Sequence, residues 1–175
     1  MKKLLIVVDY QNDFVDGSLG FHGAEKLENA ICTKVEAYLA NRDAVVYTLD
    51  THGAQYLCTR EGKCLPVAHC LRATEGWKPY GRLEKLLSGC VCLEKNTFGS
   101  TALLRYLAAE AFDEIELCGV VTNMCVLSNA VIAQAAQPEA EIVIDAQAVG
   151  SFDAAMGEKA LDVMESMQMR VINRT

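Results

Sequence analysis

The sequence predicts an α/β fold, a three-layer αβα sandwich with a six-stranded parallel sheet. The first observation is that short β-branched, apolar runs alternate with amphipathic stretches of helical length, as in right-handed βαβ units. The second is that the 175 residues contain no internal repeat, linker or low-complexity tract. A chain of this length can bury the core of one ordinary domain, so residues 1–175 are predicted to form a single domain.

The predicted elements follow one another in order along the chain. Strands are expected at residues 4–8, 44–49, 91–94, 114–120, 141–145 and 170–173. Helices are expected at residues 28–40, 101–111 and 154–167, and one more follows the fourth strand. Residues from about 50 to 80 have no regular pattern, and irregular segments of that length in compact domains are usually functional.

Charge and cysteine content limit the classes of partner. The chain has 16 Lys and Arg against 23 Asp and Glu, a net charge of −7, so neither nucleic acid nor an anionic membrane surface is an expected partner. The apolar run of MKKLLIVVDY ends at Asp9, which indicates a strand and not a signal peptide. We therefore expect a cytoplasmic protein whose 8 cysteines are mostly reduced.

Polar side chains at the ends of the predicted strands mark the expected site. Ligands of open parallel sheets bind beyond the carboxyl ends of the strands, where the strand order reverses. Asp9, Asp50 and Lys95 each directly follow one of the first three predicted strands, and Cys125 lies just past the fourth. These four residues are the candidates for chemistry.

Cys125 has the position of a nucleophile. Thr122 or Asn123 is a suitable helix N-cap, so Cys125 should lie in the first helical turn, where free N–H groups and the helix dipole favour a thiolate. A buried, unreactive cysteine is the alternative. Asp9 could take the thiol proton and Lys95 could favour the thiolate, or both could be rim charges in an ordinary ion pair.

The long irregular segment, which includes THGAQYLCTREGKCLPVAHC, has the side chains of a metal site. Asp50 and His52 alternate at a strand end, and His69 follows with Glu61 between them. Two imidazoles and one or two carboxylates suit Zn²⁺, with Fe²⁺ and Mn²⁺ as alternatives. A structural zinc site that also uses cysteines is the second interpretation. Its thiols would be Cys58, Cys64 and Cys70.

Three dispersed motifs resemble the isochorismatase-like cysteine hydrolases. They are VVDYQNDF with Asp9, LEKNTFGS with Lys95 and GVVTNMC with Cys125, in the order of that family and spread over the chain. The resemblance implies a six-stranded parallel sheet between helices and a catalytic triad of Asp9, Lys95 and Cys125. It also implies an oxyanion hole of the Val121 and Cys125 backbone N–H groups, with a cis peptide between Val120 and Val121.

Within that superfamily the long segment is most similar to nicotinamidases. D-x-H, then P-x-x-H-C and TEGW, resemble their motifs, and the resemblance implies that Asp50, His52 and His69 bind a divalent metal, with Glu61 as an additional ligand. These enzymes convert nicotinamide to nicotinate and ammonia through a cysteine thioester, and their metal binds the ring nitrogen. Members of the family commonly self-associate, so a homo-oligomer is expected.

The resemblance also implies the walls of the substrate pocket. Phe98, three residues after Lys95, and Phe14 can line it. Many nicotinamidases have a Trp-Pro pair shortly before the second metal histidine, where this chain has Leu65 and Pro66. This wall of the pocket therefore differs from that of many nicotinamidases. A cysteine hydrolase of another small amide or ureido compound and a zinc-stabilised protein without catalysis are the alternatives.

Overall fold

The computed structural model describes residues 1–174 and contains one sheet of six parallel strands. The strand order is β3-β2-β1-β4-β5-β6, flanked by helices, and this confirms the predicted fold class. The strands are β1 Lys3–Val8, β2 Ala44–Asp50, β3 Val91–Lys95, β4 Glu114–Val120, β5 Glu141–Gly150 and β6 Arg170–Ile172.

In the described part of the chain, residues 1–174, seven α-helices connect the strands. They are α1 Asn12–Val15, α2 Leu27–Ala40, α3 Arg60–Cys64, α4 Leu83–Leu86, α5 Thr101–Ala109, α6 Leu127–Ala136 and α7 Ala154–Ser166. The segment predicted to be irregular contains α3 and two 3₁₀ turns, Tyr56–Cys58 and Glu75–Trp77. Within residues 1–174, none of the helices has the length and apolar composition needed to cross a membrane.

The sheet has an apolar layer on each face because alternate residues of a strand point to opposite sides. Leu4, Ile6 and Val8 of β1 pack in the core with α5, α6 and α7. Leu5 and Val7 pack on the other face with α2 and α4. Both faces of the central strand are therefore buried, which explains why its sequence is a continuous apolar run.

The strand order reverses between β1 and β4, so the crevice for a ligand is expected beyond the carboxyl ends of these two strands. Gly119 of β4 lets the two strands approach closely there. Its φ is +113°, and a Cβ at this position would lie 2.0 Å from the Val8 carbonyl oxygen. Asp9 follows β1 and Cys125 follows β4, so both residues lie beside this crevice.

The fifth strand is longer than predicted. The pattern EIVID ended the prediction at Asp145, but β5 continues to Gly150. Its register with β4 shifts between Leu117 and Gly119, and Val149 then pairs with Gly119. This irregularity lets the strand continue past a residue that had the position of a strand end.

Candidate active site

Asp9 lies fully buried at the end of β1. Its backbone has a φ of +46°, a left-handed conformation that is uncommon for aspartate. The neighbouring strand fixes the side chain, because the Thr48 hydroxyl donates to Asp9 Oδ1 at 2.7 Å. Asp9 N–H in turn donates to Thr48 Oγ1 at 3.2 Å. The carboxylate is thus held in one orientation and Oδ2 is left for other contacts.

Lys95, the last residue of β3, brings the three predicted triad residues together. Its Nζ lies 2.6 Å from Asp9 Oδ2 and 3.4 Å from Cys125 Sγ. The contact with Asp9 is thus a short ion pair between two buried side chains. Nζ also donates to the Thr97 carbonyl at 2.9 Å. Burial opposes the charged lysine, but the anionic groups around it outweigh burial and raise its pKa.

Cys125 is buried in a π-helical turn, Thr122–Val126, that precedes α6. The predicted N-cap was wrong: Val121 is the cap residue, and neither Thr122 nor Asn123 caps the turn with its side chain. Thr122 already has helical backbone geometry, and Asn123 Oδ1 instead accepts a hydrogen bond from the Ser151 hydroxyl at 2.7 Å. The peptide between Val120 and Val121 is cis, as the family resemblance implied.

Burial raises the pKa of the nucleophile candidate and of the neighbouring carboxylate. Burial raises the pKa of Cys125 well above its ordinary value although Lys95 opposes the effect, so the resting residue is a thiol. Burial also raises the pKa of Asp9, although the positive charge of Lys95 lowers it in part. A carboxylate with a raised pKa is a stronger base, and Asp9 is therefore suited to take a proton from this thiol.

The four predicted metal ligands lie together beside the triad. Each of these residues, Asp50, His52, Glu61 and His69, offers one ligand atom. The four ligand atoms all lie within 4.8 Å of one another. Asp50 Oδ2 lies 3.0 Å from His52 Nε2 and 3.3 Å from His69 Nε2. Glu61 Oε1 is 3.7 Å from His52 Nε2 and 3.8 Å from His69 Nε2.

The donor set fits a divalent metal ion. Val67 carbonyl oxygen can only accept a hydrogen bond, so the 2.8 Å contact with His69 Nδ1 places the proton on Nδ1 and leaves the Nε2 lone pair facing the cluster. Burial opposes ionisation of Asp50, but its contacts with the His52 and His69 rings and the charge of Lys95 hold its pKa below the ordinary value. The carboxylate is therefore anionic, as a metal ligand must be.

The structural zinc site with three cysteines is not formed by the described residues. The thiols of Cys58 and Cys64 are exposed, Cys70 is buried, and the candidate metal group contains none of them. Cys70 has a different local role, since its N–H donates to Asp13 Oδ2 at 2.7 Å and so anchors the chain next to His69.

A cavity of about 500 Å³ is lined by Lys95 and Cys125 of the predicted triad and by Asp50, Glu61 and His69 of the candidate metal group. Its walls include Phe14, Phe98 and Leu65, the residues predicted for the substrate pocket. Leu19, Met124 and Phe152 add apolar surface that the sequence did not indicate. The rest of the lining is Ser18, Gly20, Asp50, Glu61, Cys64, His69, Lys95, Thr97, Val121 and Cys125. A small, largely apolar molecule with one polar group fits this lining.

A model of the isochorismatase domain matches residues 3–175. The chain belongs to the isochorismatase family. Members of this family are hydrolases, and the resemblance inferred from three motifs is confirmed.

Several relatives of this isochorismatase-family chain are nicotinamidases by name. A Bacillus subtilis protein described as uncharacterized isochorismatase family protein PncA is 37% identical, with 87% of this chain and 88% of the relative covered. A solved structure of nicotinamidase/pyrazinamidase PncA from B. subtilis has a TM-score of 0.88 at 33% identity, covering 98% of this chain and 99% of the other.

Two more distant matches cover almost the full lengths of both chains. Mycobacterium tuberculosis nicotinamidase/pyrazinamidase is 27% identical, with 97% of this chain and 98% of the relative covered. The structure of Pyrococcus horikoshii pyrazinamidase in complex with zinc has a TM-score of 0.86 at 23% identity, covering 99% and 100%. The second of these supports the fold alone.

Several residues that support the site were missed by sequence reasoning. Gln11 is fully buried and holds the metal-ligand candidate Asp50 by its backbone: Nε2 donates to the carbonyl oxygen at 3.0 Å and Oε1 accepts from N–H at 2.8 Å. Tyr56 contacts both histidine rings. Gln11 follows Asp9 by two residues, and that spacing at a strand end was the available signal. Nothing in the sequence indicated Tyr56.

Proposed function

We propose that this isochorismatase-family protein is a metal-dependent cysteine amidohydrolase that converts nicotinamide to nicotinate and ammonia. The observation that carries the proposal is one cavity lined both by Lys95 and Cys125, which lie against buried Asp9, and by three of the four candidate metal ligands, Asp50, Glu61 and His69. Two apolar aromatic walls, Phe14 and Phe98, suit a flat ring. The nicotinamidase names of the relatives point to the same reaction.

The reaction begins with proton transfer from Cys125 to Asp9. The Lys95 ammonium, 3.4 Å from Sγ, stabilises the thiolate that forms, and Sγ bonds to the carboxamide carbon. The Val121 and Cys125 N–H groups would stabilise the oxyanion. When the carbon–nitrogen bond breaks, protonated Asp9 gives its proton to the leaving amine and ammonia departs.

Hydrolysis of the thioester completes the cycle. Asp9, again a carboxylate, takes a proton from water while the water oxygen bonds to the thioester carbon. The carbon–sulfur bond then breaks, and Cys125 leaves as a thiolate beside Lys95 and regains the proton from Asp9. The net reaction consumes one water and releases one carboxylic acid and one ammonia.

Asp50, His52, His69 and Glu61 would hold the metal ion, with Zn²⁺ as our first choice and Fe²⁺ or Mn²⁺ as alternatives. When bound, the ion supplies a Lewis acid for the ring nitrogen and so orients the amide carbon toward Cys125. The ordered tautomer of His69 and the anionic Asp50 prepare the site for this ion.

Ammonia release from nicotinamide by the purified protein tests the proposal. We expect release by the wild type and a loss of roughly a thousandfold or more in Cys125→Ala. Cys64→Ala is the matched control, because this thiol lines the same cavity but does not belong to the triad, and it should keep most of the activity.

Removal of metal by a chelator separates catalysis from structure. We expect the stripped protein to lose ammonia release and to keep its circular dichroism, and to regain activity with one of Zn²⁺, Fe²⁺ or Mn²⁺. Unfolding on chelation would instead support a zinc-stabilised protein without catalysis. A folded, metal-loaded protein that releases no ammonia contradicts the substrate assignment, and other small amides and ureido compounds would then be compared.

A further inference from the structure

Asn129 of α6 is fully buried and lies four residues after Cys125, on the same side of the helix. Its Nδ2 donates to the Cys125 carbonyl at 2.8 Å and to the Phe98 carbonyl at 3.1 Å. Its Oδ1 accepts from Ser100 N–H at 3.0 Å. One amide side chain thus joins the nucleophile turn to two points of another segment.

That segment, residues 95–100, links β3 to α5 and contributes two parts of the site. Lys95 begins it and donates to the Thr97 carbonyl at 2.9 Å, and Phe98 is a wall of the cavity. Ser100 ends it as the N-cap of α5, with its hydroxyl accepting from Leu103 N–H. The position of this segment relative to Cys125 therefore determines where Lys95 and Phe98 lie in the site.

We propose that Asn129 is a positioning residue that fixes segment 95–100 against the Cys125 turn. The proposal rests on the proposed function, since it assigns Asn129 a part in the same site. Asn129 does not line the cavity, so it acts through Cys125, Lys95 and Phe98 and not by contact with substrate. Asparagine fits the task because it supplies two donors and an acceptor on a short side chain.

The chain contains a matched control at the other end of the same helix. Gln137, directly after α6, makes the same kind of three-bond connection: Nε2 donates to the Leu107 and Glu110 carbonyls, and Oε1 accepts from Phe112 N–H. Neither Gln137 nor its three partners line the cavity. Loss of its amide should therefore perturb packing between helices without moving the site.

The experiment compares Asn129→Ala with Gln137→Ala in the metal-loaded protein. Unfolding in urea, metal content, kcat and KM for nicotinamide are measured for both. We expect both variants to lose stability and to bind metal as the wild type does, because the candidate ligands lie on other segments. Only Asn129→Ala should lose about tenfold or more in kcat/KM, as expected when reacting groups are misplaced.

A second variant keeps the test valid if Asn129→Ala does not fold. A serine at a helical position can bond to the carbonyl four residues before it, so Asn129→Ser can keep the bond to Cys125 but cannot reach Phe98. We expect it to be more stable than Asn129→Ala and still to lose about tenfold in kcat/KM. A kcat/KM within about threefold of the wild type, or an equal loss in Gln137→Ala, would overturn the inference.

The role of Asn129 can also be tested if the protein does not hydrolyse nicotinamide. If the wild type releases no ammonia, the alkylation rate of Cys125 by iodoacetamide, measured on its peptide by mass spectrometry, tests Asn129 instead. Exposed Cys58 of the same sample is the internal reference. Slower alkylation of Cys125 in both Asn129 variants than in Gln137→Ala supports the inference, because a shifted Lys95 no longer stabilises the thiolate. Equal or faster alkylation contradicts it.

Discussion

Lys95 and Lys34 each lie between two buried carboxylates, but only Lys95 lines the cavity. Lys95 is 2.6 Å from Asp9 and 3.4 Å from Asp50, at the carboxyl ends of the strands. Lys34 of α2 lies over the middle of the sheet. Its partners are Glu116 of β4 at 2.7 Å and Asp145 of β5 at 2.5 Å.

The surroundings of the two ion-pair clusters differ more than their composition. Lys95 also contacts the Cys125 thiol and lines the cavity. Glu116, in contrast, has its second oxygen occupied by the Tyr38 hydroxyl at 2.8 Å, and neither Lys34 nor its carboxylates line the cavity. A lysine with two carboxylates is therefore not a functional signal by itself. A thiol and an open side beyond the strand ends distinguish the cluster that can act on a ligand.

Replacing each lysine with methionine tests this difference most strongly. Lys95→Met should lower kcat/KM for nicotinamide roughly a hundred- to a thousandfold, because the thiolate and the developing charge lose their nearest cation. Lys34→Met should leave kcat/KM within about twofold, since its cluster does not contact the cavity. Steady-state kinetics on both variants, with metal content checked, give the comparison. Comparable losses in the two variants would contradict the separation of roles.

Lys34→Met should reduce stability instead. The change leaves the buried carboxylates of Glu116 and Asp145 without their cation, and removal of one partner from such a network costs about 1 to 3 kcal/mol. The free energy of unfolding in urea at neutral pH measures this loss. An unchanged free energy would show that water replaces the lysine at no cost.

The pH dependence of that loss identifies its electrostatic origin. Burial raises the pKa of Asp145, but hydrogen bonds from Lys34 and Gln147 outweigh it and leave the pKa below the ordinary value. A lowered pKa contributes stability above about pH 4 that is lost as the pH falls further. Burial opposes charge on Lys34, yet its carboxylate partners raise its pKa, so its contribution is lost above about pH 10. The stability difference between wild type and Lys34→Met should be largest between these limits.

The two lysine clusters also show how much of the site could be predicted from the sequence. Asp9, Lys95 and Cys125 were found because parallel strands end at one edge, a rule that requires no knowledge of side-chain contacts. Asp145 also closes a predicted strand, residues 141–145, but it was not a candidate for chemistry: the register shift carries β5 beyond it, and the residue pairs with Lys34. Asn129 was missed because two of its three partners, Phe98 and Ser100, lie about 30 residues away in the sequence, and only the folded chain brings them together.

The smallest predicted effect concerns the open side of the Lys95 cluster. Leu65 is 38% exposed and lines the cavity, so Leu65→Trp should add an aromatic wall for the ring. An additional aromatic contact is worth about 0.5 to 1.5 kcal/mol, which corresponds to a KM for nicotinamide roughly two- to tenfold lower. The value of kcat should be unchanged, because the substitution does not touch Cys125 or its partners.

Leu57→Trp is the matched control for this substitution. Leu57 is 54% exposed and lies in the same long segment, but it does not line the cavity. If only Leu65→Trp lowers KM, the cavity wall at this position limits how tightly the ring is held. An equal decrease in both variants would attribute the effect to general surface hydrophobicity, and a higher KM in Leu65→Trp would mean that the larger ring fills the space that the substrate needs.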